Sequence, residues 1–263
     1  MTGGLRVTRE SGVAHVTLTR PEVRNAFNAE LIEALRETFE ELAALSADEL
    51  RLVILAGEGS FFCAGADVDW MRAAIGLSFK ENERDAAAMR SMFAGIDECP
   101  APVVARVQGG ALGGGMGLCA VSDIVVATDG ATFGFTETKL GILPAVISTF
   151  VIPKIGETHA RALFLSGERF SAQHARFIGI VHEIVEDEPA LDSRISAITH
   201  EFLAAGSTAV RAAKKLIREL RGLPATEAAA LSVARIAAQR TSAEGQEGLA
   251  AFTEQRSPSW RPD

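Results

Sequence analysis

Tyrosine is missing from all 263 residues, which removes one common proton donor from any mechanism this chain could use. Cysteine is scarce. Cys63, Cys99 and Cys119 form no CxxC pair and fall at no zinc-finger spacing, so neither a disulfide scaffold nor a metal cluster is indicated. A basic excess is lacking too: the formal charge is −8, the opposite of the footprint left by a nucleic-acid binder. The longest apolar runs, such as VVARV and DIVVA, are far short of the roughly 20 residues that span a bilayer. MTGGLRVTRESGVAHV carries no apolar segment behind a basic start, so no secretory signal is read and a cytoplasmic location is expected. Neither GxGxxG nor GxxxxGK[ST] occurs where a dinucleotide or nucleotide-phosphate site would need it, and no fixed-period repeat is visible.

What remains is the composition of a soluble globular protein, 48% apolar and 23% charged, long enough for a large core. LRVTRE and AHVTLT flank Ser11-Gly12 and predict a hairpin. Leu31, Leu35, Phe39 and Leu42 recur at helical spacing, with Asn28 as the expected N-cap and Glu30 in the first turn. Strands are predicted over 51–57, 103–109 and 123–129, and a long helix over about 79–96. From about 157 the pattern reads as mainly helical, so strands are expected in the first half and helices in the second.

Glycine is where the sequence becomes informative. GGALGGGMGLC, residues 109–119, places six glycines in eleven positions between apolar stretches. A helix loses about 1 kcal/mol for each Gly in place of Ala, so something is served here that a side chain would obstruct. The helix that follows is expected to begin at Gly115. FCAGAD at 62–67 repeats the plan of an apolar strand, a turn of tiny residues and a helix. First-turn N–H groups have no partner inside their helix, and the helix dipole favours negative charge beside them. Two such turns converging on one carbonyl oxygen, with Ala66 and Gly114 as donors, would make an oxyanion hole. Tight packing of helix on sheet is the competing explanation for the same glycines. Glu137 lies among Phe133, Phe135, Leu140 and Ile142, where desolvation would raise its pKa and suit it to general-base work. Pairing with Lys139 is the plainer alternative.

FCAGADVDWM, ARVQGGALGGGMGLCAVSDIVVATDGATFGFTETKLGILPA, FLSGERFSAQHARFIGIVHEIV and EGLAAFTEQRSPSW resemble, in order and spacing, the enoyl-CoA hydratase/isomerase (crotonase) family, over about residues 5–260. The resemblance implies an α/β fold in which β-β-α turns wind into a spiral core over 1–200, with a helical C-terminal portion over 201–263 that completes a trimer or a dimer of trimers. It implies an acyl-CoA thioester substrate held at the Ala66 and Gly114 N–H groups, with CoA contacts near Arg24, Ala26, Ala64, Asp67 and Val68. CoA is then part of the substrate; no separate cofactor, metal, nucleic acid or membrane is implied. Of the two glutamates of the best-known hydratases, the second matches Glu137, whereas the first falls on Gly117. A lone carboxylate is also the pattern of Δ3,Δ2-enoyl-CoA isomerases. GMGLCAVSDIVVA, ETKLGILPAVISTFVIPKIGE and FLSGERFSAQHA look most like the methylglutaconyl-CoA hydratase branch, which implies branched acyl groups in leucine or isoprenoid breakdown. A non-catalytic acyl-CoA-binding protein is the third reading. Met71, Met116, Phe135 and Ile147 are the candidate acyl-pocket residues, and Arg24 is the better candidate than Arg256 for a CoA phosphate.

Overall fold

The computed structural model describes residues 3–261. The chain opens with the hairpin β1 (Leu5–Glu10) and β2 (Val13–Leu18), turned by Ser11 and Gly12, both at positive φ. Helix α1 (Ala29–Ala43) starts where Asn28 Oδ1 accepts from Leu31 N at 2.9 Å, a cap worth about 1 kcal/mol. It buries Leu31, Leu35, Phe39 and Leu42, the residues its periodicity marks. There follow β3 (Leu52–Gly57), α2 (Val68–Ala73), α3 (Phe79–Glu98), β4 (Val103–Val107), β5 (Gly110–Leu112), α4 (Gly114–Val121), β6 (Ile124–Thr128) and β7 (Thr132–Gly134). The second half holds α5 (Ala145–Ser166), β8 (Arg169–Ser171), α6 (Ala172–Phe177), β9 (Glu183–Val185), α7 (Glu188–Ala204), α8 (Ser207–Glu219), α9 (Ala225–Thr241) and α10 (Ala243–Thr253).

A six-stranded sheet runs in the order β1-β2-β3-β4-β6-β9, parallel throughout except for the β1–β2 hairpin. Parallel strands need both faces covered, and the alternation along β3 shows how this is met. Val53 and Leu55 enter the main core with α1, α3, α4 and α5, while Leu52 and Ile54 meet Leu191, Ile195 and Ile198 of α7 on the far side. Beside this sheet stands a second, narrower stack. β5 pairs with β7 and β7 with β8, and isolated bridges Cys63↔Ala111 and Phe27↔Ala66 extend the same ladder. From β2 to β6, each strand of the large sheet is followed by a short rung in the second stack and then by a helix, so the chain climbs as a spiral of β-β-α turns.

The division into strands first and helices second is corrected: β8 and β9 lie in the second half, and β9 closes the edge of the large sheet. Helicity also begins earlier than 157, at Ala145, in a helix that contains Pro153 and kinks at Gly156, where φ is 75°. Near the glycines, β4 ends at Val107 and α4 starts at Gly114.

Candidate active site

Two turns of the spiral place their glycines against each other. A Cβ on Gly65 would stand 2.8 Å from Leu112 O and 3.2 Å from Gly114 N, and one on Gly115 would run into Cys63 O. Only glycine permits this approach, because backbone meets backbone. The competing explanation, tight packing, is thus true of these residues, and it is also what brings the two turns together. Ala66 is fixed from both sides: Phe27 N donates to Gly65 O at 2.7 Å, and Asp67 N donates to Phe27 O at 2.8 Å. The Gly113 N–H goes to Gly134 O at 2.9 Å. By contrast, the N–H groups of Ala66 and Gly114 find no protein acceptor among the described residues, Gly114 being the first residue of α4. Two free main-chain donors therefore sit on adjoining turns.

Glu137 reaches the same place from a third turn. It opens a one-turn 3-10 helix after β7, and its Oε1 would lie 3.6 Å from a Cβ on Gly113. Its Oε2 is buried without a hydrogen-bond partner. Burial pushes the carboxyl above its ordinary value, opposed only by its own backbone amide. Pairing with Lys139 does not occur, and the carboxyl group is left desolvated beside the two donors. Cys63 and Cys119 lie close by, but burial pushes both thiols up to about 12, so neither supplies a thiolate.

The remaining predicted residues divide by what they have free. Arg24 is exposed, in the left-handed conformation at φ 54°, with its guanidinium 5.9 Å from the Phe61 ring centre and its carbonyl accepting from Ala64 N at 2.9 Å. Val68 is 64% exposed at the start of α2, and Ala64 is half-buried beside it. Ala26 is buried, its carbonyl taken by Arg20. Asp67 has its side chain turned to Arg20. Its carboxylate is buried and accepts from Arg20 Nη2 at 2.7 Å and Asp69 N at 2.8 Å. Burial alone would raise its pKa; Arg20 and the Asp69 and Trp70 amides more than offset that and hold it below the usual range. Arg20, which the sequence reading overlooked, is thus the cation that braces the Ala66 turn. Its signal was an arginine beside Pro21 in a loop whose chain must reverse at Arg24 and Asn25, both at positive φ. Met116, Phe135 and Ile147 are closed into the core rather than open to a pocket, and Met71 alone of the four is half-buried. Arg256 is tied to Glu247 at 2.7 Å and to Glu254.

A spiral of β-β-α turns, two unclaimed donors and one carboxylate agree with a family comparison. The model of the enoyl-CoA hydratase/isomerase family matches residues 8–263. The chain belongs to that family. Among curated relatives, the 2,3-dehydroadipyl-CoA hydratase of Escherichia coli is 29% identical over 98% of both chains. Among solved structures, an enoyl-CoA hydratase of Shewanella pealeana is 36% identical with a TM-score of 0.92, covering 98% of this chain and 96% of its own. Pseudomonas aeruginosa AtuE is 33% identical with a TM-score of 0.94, covering 98% and 100%. The fold is the crotonase fold, as the sequence resemblance implied, and the family's general activity on enoyl-CoA substrates comes with it.

Proposed function

We propose that this member of the enoyl-CoA hydratase/isomerase family adds water reversibly across the α,β double bond of a branched enoyl-CoA, with 3-methylglutaconyl-CoA and 3-hydroxy-3-methylglutaryl-CoA as the leading pair. The observation that carries the reading is the single desolvated carboxylate of Glu137 beside two N–H groups that no protein atom occupies. The thioester oxygen accepts from Ala66 and Gly114, and one such donor is worth about 3 kcal/mol in the transition state. Glu137 takes a proton from water as the water oxygen bonds to C3, and the π electrons move onto the thioester as an enolate. The enolate collapses as C2 takes the proton back from the Glu137 carboxyl, so water is added and nothing else is consumed. CoA enters as part of the substrate. In this reading Arg24 and Val68 meet its nucleotide end and its pantetheine arm, which their exposure beside the Ala64–Asp67 turn supports.

One observation favours a second reading, the Δ3,Δ2-isomerase: a lone carboxylate suffices to move a proton between C2 and C4. Incubation with 3-methylglutaconyl-CoA and separately with a 3-enoyl-CoA in oxygen-labelled water decides between them. Label entering C3 supports hydration; double-bond movement with hydrogen exchange alone defeats it. The reading also includes assembly into a trimer or a dimer of trimers. Leu165, Phe177, Val233, Ile236 and Phe252, each at least half exposed on α5, α6, α9 and α10, are the apolar side chains such contacts would cover. Sedimentation is expected to give three or six chains, and a concentration-independent monomer refutes it.

A further inference from the structure

Position 117 leads into filled space. Gly117 stands one turn beyond Gly114, so the two share a face of α4. A Cβ there would meet Ile147 Cγ2 at 2.5 Å, Phe93 Cζ at 2.6 Å and Phe93 Cε1 at 2.7 Å. Neither neighbour is a loose end. Phe93 is wholly buried, edge-on to Phe27 with ring centres 6.0 Å apart and 6.1 Å from Phe150, and Ile147 is closed in the core. Phe27 is in turn the ring that a Cβ on Gly114 would strike, at 2.8 Å. A row of packed rings therefore underlies α4 from the free N–H of Gly114 to Gly117.

We infer that Phe93 and Ile147 hold this site to a single carboxylate, by filling from α3 and α5 the volume that an acidic side chain at position 117 would enter. The inference rests on Glu137 being the working base. A carboxyl group placed at 117 would be driven among rings that offer it no hydrogen bond, where the charged form is strongly disfavoured. Restoring the residue without removing the wall therefore restores no chemistry. Interior packing at this density does not yield several tenths of an ångström at three atoms at once. Water activation and proton return both fall to Glu137, in sequence, and Phe93 and Ile147 are the residues that set this limit.

The three obstructing atoms can be removed with little change of volume: Phe93→Leu deletes Cε1 and Cζ, and Ile147→Leu deletes Cγ2. Gly117→Glu is compared in the parent and in this relieved double-leucine background, with crotonyl-CoA as the probe and oxygen-labelled water as the readout. In the parent background, Gly117→Glu is expected to lower the Tm and to cut hydration at least tenfold. In the relieved background it is expected to raise hydration at least tenfold over the double-leucine protein itself. Parent-like melting with gained hydration in the single variant overturns the inference, as does a folded triple variant no faster than the double-leucine protein. Should either glutamate variant fail to fold, Gly117→Ala replaces it. Its Tm loss is expected to be large in the parent and to shrink by at least half in the relieved background, and equal losses overturn the inference. Glu137→Gln, run alongside in the parent, keeps the two readings apart, since unchanged turnover there removes Glu137 as the base whatever the Gly117 series gives.

Discussion

Glu137→Gln should make the protein slower and more stable at once. The carboxylate is buried with one oxygen unpartnered, so its ionised form is held in the fold at a cost that the unfolded chain does not bear. The folded pKa is raised. Below the ordinary carboxylate range the group is protonated in both states and contributes no difference. Between that range and the raised value the unfolded chain has released its proton while the folded one retains it, so stability falls as pH rises, by about 1.4 kcal/mol for each unit of elevation, and then levels. A neutral amide of the same shape escapes this loss, though it leaves its own polar atoms imperfectly paired. The net gain expected at pH 8 is about 1 kcal/mol, or roughly 2–4 °C in Tm for a chain of this size. At pH 4 the two proteins should melt together. Turnover should fall about 100-fold or more, equivalent to about 2.7 kcal/mol of barrier, while acyl-CoA binding stays intact. In the parent, activity should rise with pH through the elevated pKa, because the base must be ionised. The assay is a pair of melting curves from pH 4 to 8 beside initial rates on the same samples. A Gln variant less stable than the parent at pH 8 would mean that the carboxylate is favourably partnered, and the argument from desolvation would fail.

Arg20→Met should cost about 3 kcal/mol in chemical denaturation, because it strands the Asp67 carboxylate, whose side chain is 7% exposed; adding Asp67→Asn should recover part of the loss. The stability that Asp67 supplies is present above the ordinary Asp range and disappears as pH falls through its lowered folded value, so the Arg20 effect should fade in acid. Glu244→Gln should lose about 1 kcal/mol, since that α10 carboxylate caps α8 by accepting from Ala209 N at 2.8 Å and Thr208 N at 3.0 Å; an unchanged Tm would count against the cap. If Arg24 contacts CoA as proposed, Arg24→Ala should raise KM for an acyl-CoA with little change in kcat, as lost ground-state binding does, and a fall in kcat alone would refute that role.

The regular half of this fold was legible because each element carries its own pattern. β3 alternates between two buried faces, and α1 shows both its stripe and its cap. β5, β7 and β8 were not legible, being three residues each and existing only because a neighbouring rung pairs with them. Gly110 at φ 144° does not look like a strand residue until Thr132 is set beside it. α5 was read late because Pro153 and Gly156 argue against a helix that its packing sustains. In the site, Ala66, Gly114 and Glu137 were marked by local composition. Arg20 and the wall behind Gly117 were not, since both depend on residues between 24 and 47 positions away meeting in space.

The glycine seam between residues 65 and 115 carries a consequence for how such a protein changes over generations. Donors that belong to the main chain survive the exchange of one side chain for any other except proline, which alone lacks the N–H. At Gly65, Gly114 and Gly115 there is no room for a methyl group, so a change at any of them is selected against together with the fold. Glu137 differs, since its Oε2 has no hydrogen-bond partner and replacing the side chain breaks no such bond there. On the proposed reading, a lineage built on this scaffold can therefore lose or exchange its proton chemistry in one step while keeping the two main-chain donors, and new reactions can be tried without first rebuilding that part of the site.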